Sequence, residues 1–168
     1  IKKAGIAGLV IGDSHVEVLD ELVKKATRQI IEIGEPEELV GHDILDSYSI
    51  NHHHEGNLIL KAKKAIKGEN LLQEELNRVG DYLMELQSYK FVPKKVIIVR
   101  SNHDEALDRY LKEARFATEA EAHNTKISLL LAYHMIDGYN PLEAFIKKLW
   151  KKRTQGRNKQ RIQRTIFL

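Results

Sequence analysis

Three short stretches of the sequence combine carboxylate, imidazole and amide side chains, and each follows an apolar run. They are Asp13-Ser14-His15 after GIAGLVIG, Asp43-Ile44-Leu45-Asp46 after EELVGH, and Asn102-His103-Asp104 after KKVIIVRS. In an open α/β sheet the carboxyl ends of the strands face a common crevice, so groups carried there can converge. Carboxylate, imidazole and amide groups are ligands for Mn²⁺, Fe or Zn²⁺, and one carboxylate can bridge two ions about 3.5–4 Å apart. Such a site would hold a phosphate, activate a water and stabilise a leaving oxygen. The third stretch has a second reading on its own, because Ser, Asn and Asp also cap helix N-termini and a helical pattern starts there. Three such tips in one chain shift the weight toward a site.

The elements that must position these groups can be read from apolar periodicity. Residues 6–11 read as a buried strand, followed by a helix over about 16–31 in which Val16, Leu19, Leu22, Val23, Ala26 and Ile30 recur at helical spacing and are expected to pack back on the sheet. A short strand should end near Gly41, placing Asp43 at its tip. Two helical patterns, 58–67 and 70–88, flank Gly68. Leu71, Leu72, Leu76, Val79, Leu83 and Leu86 supply their apolar stripe, and they read as a helical hairpin inserted over about 58–89. A third strand over 95–100 leads into a helix over 104–115. Helices over 119–136 and 141–152 follow, the latter with Pro141 in its first turn, and 164–168 can begin another strand. The fold class expected is α/β.

In order and spacing, these motifs resemble the calcineurin-like metallophosphoesterases, whose pattern is D-x-H, then G-D-x-x-D, then G-N-H-D/E, each on a loop after a strand. Here the counterparts are DSH at 13–15, HDILD at 42–46 and SNHD at 101–104. The longer stretches HDILDSYSINHHHEGN and SNHDEALDRYL look most like the phage-encoded branch of that family, related in fold to DNA-repair nucleases. The resemblance implies a dinuclear site, with Mn²⁺ as first choice and Fe or Zn²⁺ as alternatives. It implies that Asp13 and His15 bind one metal, that Asp43 bridges both and that Asn102 binds the second. His103 would be the acid at the leaving group, Asp104 would orient His103, and Asp46 would act from behind the ligands. The fold implied is part of a metallophosphoesterase sandwich, with ligand-bearing loops at the C-terminal ends of its strands and helices around it.

The sequence departs from the family pattern in two respects. His42 and Ser101 stand where the pattern has glycine, and the family's later histidines have no counterpart after His103, since His123 and His134 fall in helical patterns. The resemblance therefore covers residues 4 to about 152, the N-terminal half of the family domain, with 153–168 as a basic tail or the start of a next strand. The second half of the site is expected from a partner chain or another segment, and the uncovered sheet is expected to favour self-association.

Composition narrows the remaining possibilities. At 168 residues without cysteine the chain fits one domain, and it offers no disulfide, thiolate metal site or thiol chemistry. An intracellular, cytoplasmic setting is expected. The longest apolar run, ISLLLAY, falls far short of a membrane span and no signal-peptide pattern opens the chain, so no membrane role is expected. Neither G-x-x-x-x-G-K-S/T nor G-x-S-x-G occurs, which argues against an NTPase or an α/β-hydrolase. The net charge of +3 hides an asymmetry: residues 147–168 hold nine Lys or Arg and no acid, so the other 146 residues carry −6. A tail containing Lys151, Lys152, Arg153, Arg157 and Arg161 suits nucleic acid. His52, His53 and Tyr48 lie near enough to Asp46 in sequence to meet a substrate, although Tyr48 also suits a core edge. Trp150 suits either base stacking or the apolar anchor of a helix. The function expected is metal-dependent phosphodiester hydrolysis, with DNA as substrate. The alternatives are a catalytically inactive subunit that binds nucleic acid or protein, and a phosphomonoesterase.

Overall fold

Four parallel strands form one sheet in the order β1-β2-β3-β4, where β1 is Gly8–Ile11, β2 Glu38–His42, β3 Lys95–Val99 and β4 Thr165–Phe167. The computed structural model describes residues 5–54, 56–154 and 165–168. The helices are α1 (Glu21–Gly34), α2 (Leu58–Lys67), α3 (Leu72–Leu86), α4 (Asn102–Lys112), α5 (Thr125–Ile136) and α6 (Pro141–Thr154). The chain is thus α/β, and the segment near the C-terminus read as a possible strand does join the sheet beside β3. Among the described residues no helix is long and apolar enough to cross a membrane.

Each connection runs between neighbouring strands. Crossovers between adjacent parallel strands are as a rule right-handed, which puts successive connections on the same face of the sheet. The burial pattern agrees. Leu39, Val96, Ile98 and Thr165 point into the core, whereas the in-register row Val10, Val40, Ile97 and Ile166 lies on the opposite face, with Val10 70% exposed. No second sheet is present among the described residues.

The helical layer centres on α3, whose buried residues Leu72, Leu76, Val79, Leu83 and Leu86 match the expected stripe apart from Leu71 at its N-cap. Leu83 and Leu86 of α3 share one core cluster with Leu39, Val96 and Ile98 of the sheet. α3 also meets α6 closely at Gly80, where an added Cβ would lie 2.4 Å from Leu149 Cδ2. The indole N–H of Trp150 donates to the Gly80 carbonyl at 3.0 Å, so Trp150 is a buried anchor of α6. The expected helix over 119–136 is shorter: residues 119–124 form a 3-10 turn and α5 starts at Thr125.

The helix after β1 differs from expectation in which side it buries. Asp20 caps α1 by accepting from the backbone N–H of Leu22 at 2.7 Å. Only Ile31 is buried, while Leu22 is 77% and Ile33 70% exposed, with Val23 and Ile30 also outward. The polar side of α1 faces α3 instead, through Lys24 to Glu85 at 2.7 Å and Arg28 over the Tyr89 ring at 5.1 Å. α1 crosses over from β1, the edge strand, and its apolar stripe is turned away from α3.

Candidate metal centre at the strand tips

The loop leaving β1 continues alongside the loop leaving β2, and this brings the first two motifs together. Backbone N–H groups of Ser14, His15 and Val16 donate to the carbonyls of His42, Asp43 and Ile44 at 3.5, 2.7 and 3.2 Å. Asp13, His15 and Asp43 each adopt a left-handed backbone, with φ of 46°, 33° and 50°. That conformation costs a non-glycine residue of order 1 kcal/mol or more and is concentrated at functional sites. Three of the four residues read as metal ligands thus occupy conformations that an ordinary loop would give to glycine.

The third motif sits at the start of α4. Ser101 is the N-cap: its hydroxyl accepts from the Asp104 N–H at 3.4 Å, and the Asp104 carboxylate accepts from the Ser101 N–H at 2.9 Å, completing a capping box. The cap and site readings of SNHD therefore divide by residue. Asp104, assigned by resemblance to orient His103, is turned back on Ser101, and burial pushes its carboxyl upward from the usual range. His103 is held from the β2 loop, with Nδ1 2.7 Å from the Asp46 carbonyl and 3.7 Å from Asp46 Oδ1. Since a carbonyl only accepts, Nδ1 carries the proton. The Ser47 hydroxyl donates to the His103 carbonyl at 2.8 Å, a second tie between this loop and α4.

Two potential ligand clusters result. His15, Asp46 and His103 form one and Asp13, His42 and Asp43 the other, each with ligand atoms within 4.8 Å of one another. In the first, His15 Nδ1 lies 3.1 Å from Asp46 Oδ1 and the His15 and His103 rings meet edge to face at 4.7 Å. In the second, His42 Nδ1 lies 2.6 Å from Asp43 Oδ2, and Asp43 Oδ1 is buried without a hydrogen-bond partner. Imidazole and carboxylate donors with an orphaned buried oxygen suit Mn²⁺, Fe or Zn²⁺. Asn102 opens α4 beside His103 and is exposed.

The chain is similar to a phage protein. Protein A1 of Escherichia phage T5 is 30% identical over 138 residues, which are 79% of this chain and 23% of that relative. The chain thus spans about a quarter of the relative's length. No family model and no solved structure matches.

Tyr48, His52 and His53 lie on the same loop as Asp46. Tyr48 has Lys64 Nζ 4.1 Å from its ring centroid and His54 edge-on at 5.3 Å, while His52 and His53 are exposed with rings 3.9 Å apart. None of the three histidines joins either cluster. His123 lies 2.7 Å from the Asn70 carbonyl, His134 packs between Tyr133 and Tyr139, and neither joins a cluster. In the basic segment Lys151 and Lys152 are exposed and Arg153 pairs with Asp81, whereas Arg157 and Arg161 lie outside the described residues.

Two participants escaped the sequence reading. Glu75 of α3 is buried and accepts from the backbone N–H groups of Tyr48 at 2.8 Å and Ser49 at 3.1 Å, and from the Ser49 hydroxyl, which locks the loop after Asp46 to the helical layer. Its only sequence signal was an acid on the buried side of an otherwise apolar stripe. His42 was passed over as a replaced glycine, although a histidine directly before the central aspartate at a strand end was itself a signal.

Proposed function

We propose that this chain carries the strand-tip portion of a dinuclear metal centre that hydrolyses phosphodiesters, with DNA as the substrate class and Mn²⁺ as the first metal to test. The observation that carries the reading is the convergence of three separate strand tips into two carboxylate and imidazole clusters, one of which contains the buried, unpartnered Asp43 Oδ1. Ordered motif spacing supports it.

On this reading Asp13 and His15 hold one ion, Asp43 reaches both, and Asn102 contributes to the second. Bound ions would polarise a phosphoryl oxygen and lower the pKa of a water. Asp46 restrains His15 and His103 together, as partners behind metal ligands commonly do. With Nδ1 donating to the Asp46 carbonyl, His103 keeps Nε2 free toward the leaving oxygen, to which the doubly protonated imidazolium would deliver its Nε2 proton. The small number of protein groups on each ion leaves positions for water, a phosphate oxygen and further protein ligands. The exposed Lys151 and Lys152, in the segment of nine uncompensated basic residues, would draw a polyanion toward the chain.

Calorimetric titration of Mn²⁺ into the chain and into Asp43→Ala, with hydrolysis of bis(p-nitrophenyl) phosphate and of DNA followed in parallel, tests this. Saturable binding lost in Asp43→Ala is expected of the chain, and metal-dependent cleavage of both substrates is expected where the rest of the site is supplied. Absence of any Asp43-dependent metal binding would overturn the reading, and cleavage confined to phosphomonoesters would replace the substrate class.

A further inference from the structure

The Asp13, His42 and Asp43 cluster contains an imidazole that the family resemblance does not supply, because the corresponding position in that pattern is glycine. We propose that His42 is a direct ligand of the ion held by Asp13 and Asp43, an inference that rests on the metal-centre reading above.

His42 is the last residue of β2, paired in register with Val99 of β3, so the sheet fixes its backbone next to the bend at Asp43. Its Nδ1 is 2.6 Å from Asp43 Oδ2, and one ligand atom each from His42, Asp43 and Asp13 fall within 4.8 Å of one another. That spacing suits three donors around one ion, whose bonds to nitrogen and oxygen are about 2.0–2.2 Å each for Zn²⁺.

The second observation is independent of the cluster's spacing. Asp43 is only 5% exposed, and while Oδ2 faces His42, Oδ1 has no hydrogen-bond partner. A buried carboxylate oxygen without a donor is costly, and an ion at this position would satisfy it. The His42 side chain is 43% exposed, so it has room to turn a ring nitrogen toward such an ion without emptying the core. His15, which the resemblance places on the same ion as Asp13, is engaged with Asp46 and His103. The imidazole nearest to Asp13 and Asp43 in the structure is therefore the one contributed by β2 itself.

The test uses the wild-type chain labelled with ¹⁵N-histidine and titrated with Zn²⁺, the ring-nitrogen resonances being followed by NMR, with calorimetry of Zn²⁺ and Mn²⁺ binding to wild type, Asp43→Ala and His42→Gln. Direct ligation predicts that one His42 ring nitrogen moves to a metal-bound shift in step with the Asp43-dependent binding isotherm. It also predicts that His42→Gln weakens that binding by about 100-fold or more, beyond the 10–100-fold typical of losing a partner behind a ligand. Asp43-dependent binding with His42 resonances unmoved would overturn this inference and leave the metal centre standing, with His42 reduced to an ion-pair partner of Asp43. No Asp43-dependent binding in the wild type would overturn both. Because the spectroscopic arm uses the unmodified chain, the result does not depend on a variant folding.

Discussion

His15, in the loop after β1, and His103, in the first turn of α4, are far apart in the chain, yet their imidazoles meet edge to face with centroids 4.7 Å apart, and Asp46 touches both. Asp46 is the hinge of this arrangement: its carboxylate faces the two rings while its carbonyl anchors His103 Nδ1.

Replacing Asp46 should therefore disturb metal binding without removing a ligand. Asp46→Ala is expected to weaken Mn²⁺ binding by about 10–100-fold, the usual consequence of losing a group that orients a ligand. Calorimetry beside the wild type checks this, and unchanged affinity would mean that His15 is held by its backbone alone.

The capping box at α4 separates structural from chemical roles within SNHD. Asp104→Ala removes the acceptor for the Ser101 N–H and should cost about 1 kcal/mol in urea unfolding. Ser101→Gly, which restores the glycine of the family pattern, should cost only a few tenths of a kcal/mol, since glycine is itself an acceptable N-cap.

Stability should respond to α1 in an order that its apolar pattern would not suggest. Leu22→Gln and Ile33→Gln, on the exposed stripe, should change unfolding free energy by no more than about 0.5 kcal/mol. Ile31→Ala, which empties a fully buried position, should cost about 2–5 kcal/mol. Parallel urea melts of the three variants give the comparison.

Glu75 makes stability depend on pH. Its burial in α3 raises the carboxyl pKa above the ordinary value despite the hydrogen bonds from Tyr48 and Ser49. A group whose folded pKa is raised binds its proton more tightly in the folded state, so its contribution is fully present below the unfolded value near 4.5 and is lost as pH rises through the folded value. Glu75→Gln removes this titration while keeping one acceptor oxygen. Unfolding measured from pH 4 to 8 should show the wild type losing stability relative to Glu75→Gln as pH rises, and parallel curves would exclude the effect.

The sequence by itself determined the strands, most helices and the three chemistry-bearing tips, because apolar alternation and helical spacing are local signals that survive without knowledge of neighbours. It also showed that SNHD holds residue types suited to a helix N-cap, although only the structure picked out Ser101 and Asp104 as the capping pair. Tertiary structure alone decided the rest. Which side of α1 is buried depends on α3 and on the place of β1 at the sheet edge, so Lys24, Thr27 and Ile31 turn inward while Leu22 and Ile33 do not. The grouping of the site residues depends on register between loops: hydrogen bonds from 14–16 to 42–44 put Asp13 beside His42 and Asp43, and the hold of Asp46 on His103 draws His15 into the other cluster. Glu75 reaches Ser49 from 26 positions away, a pairing without periodic trace. Local periodicity fixes what a residue is attached to, whereas the company its side chain keeps is set by packing between elements distant in the chain.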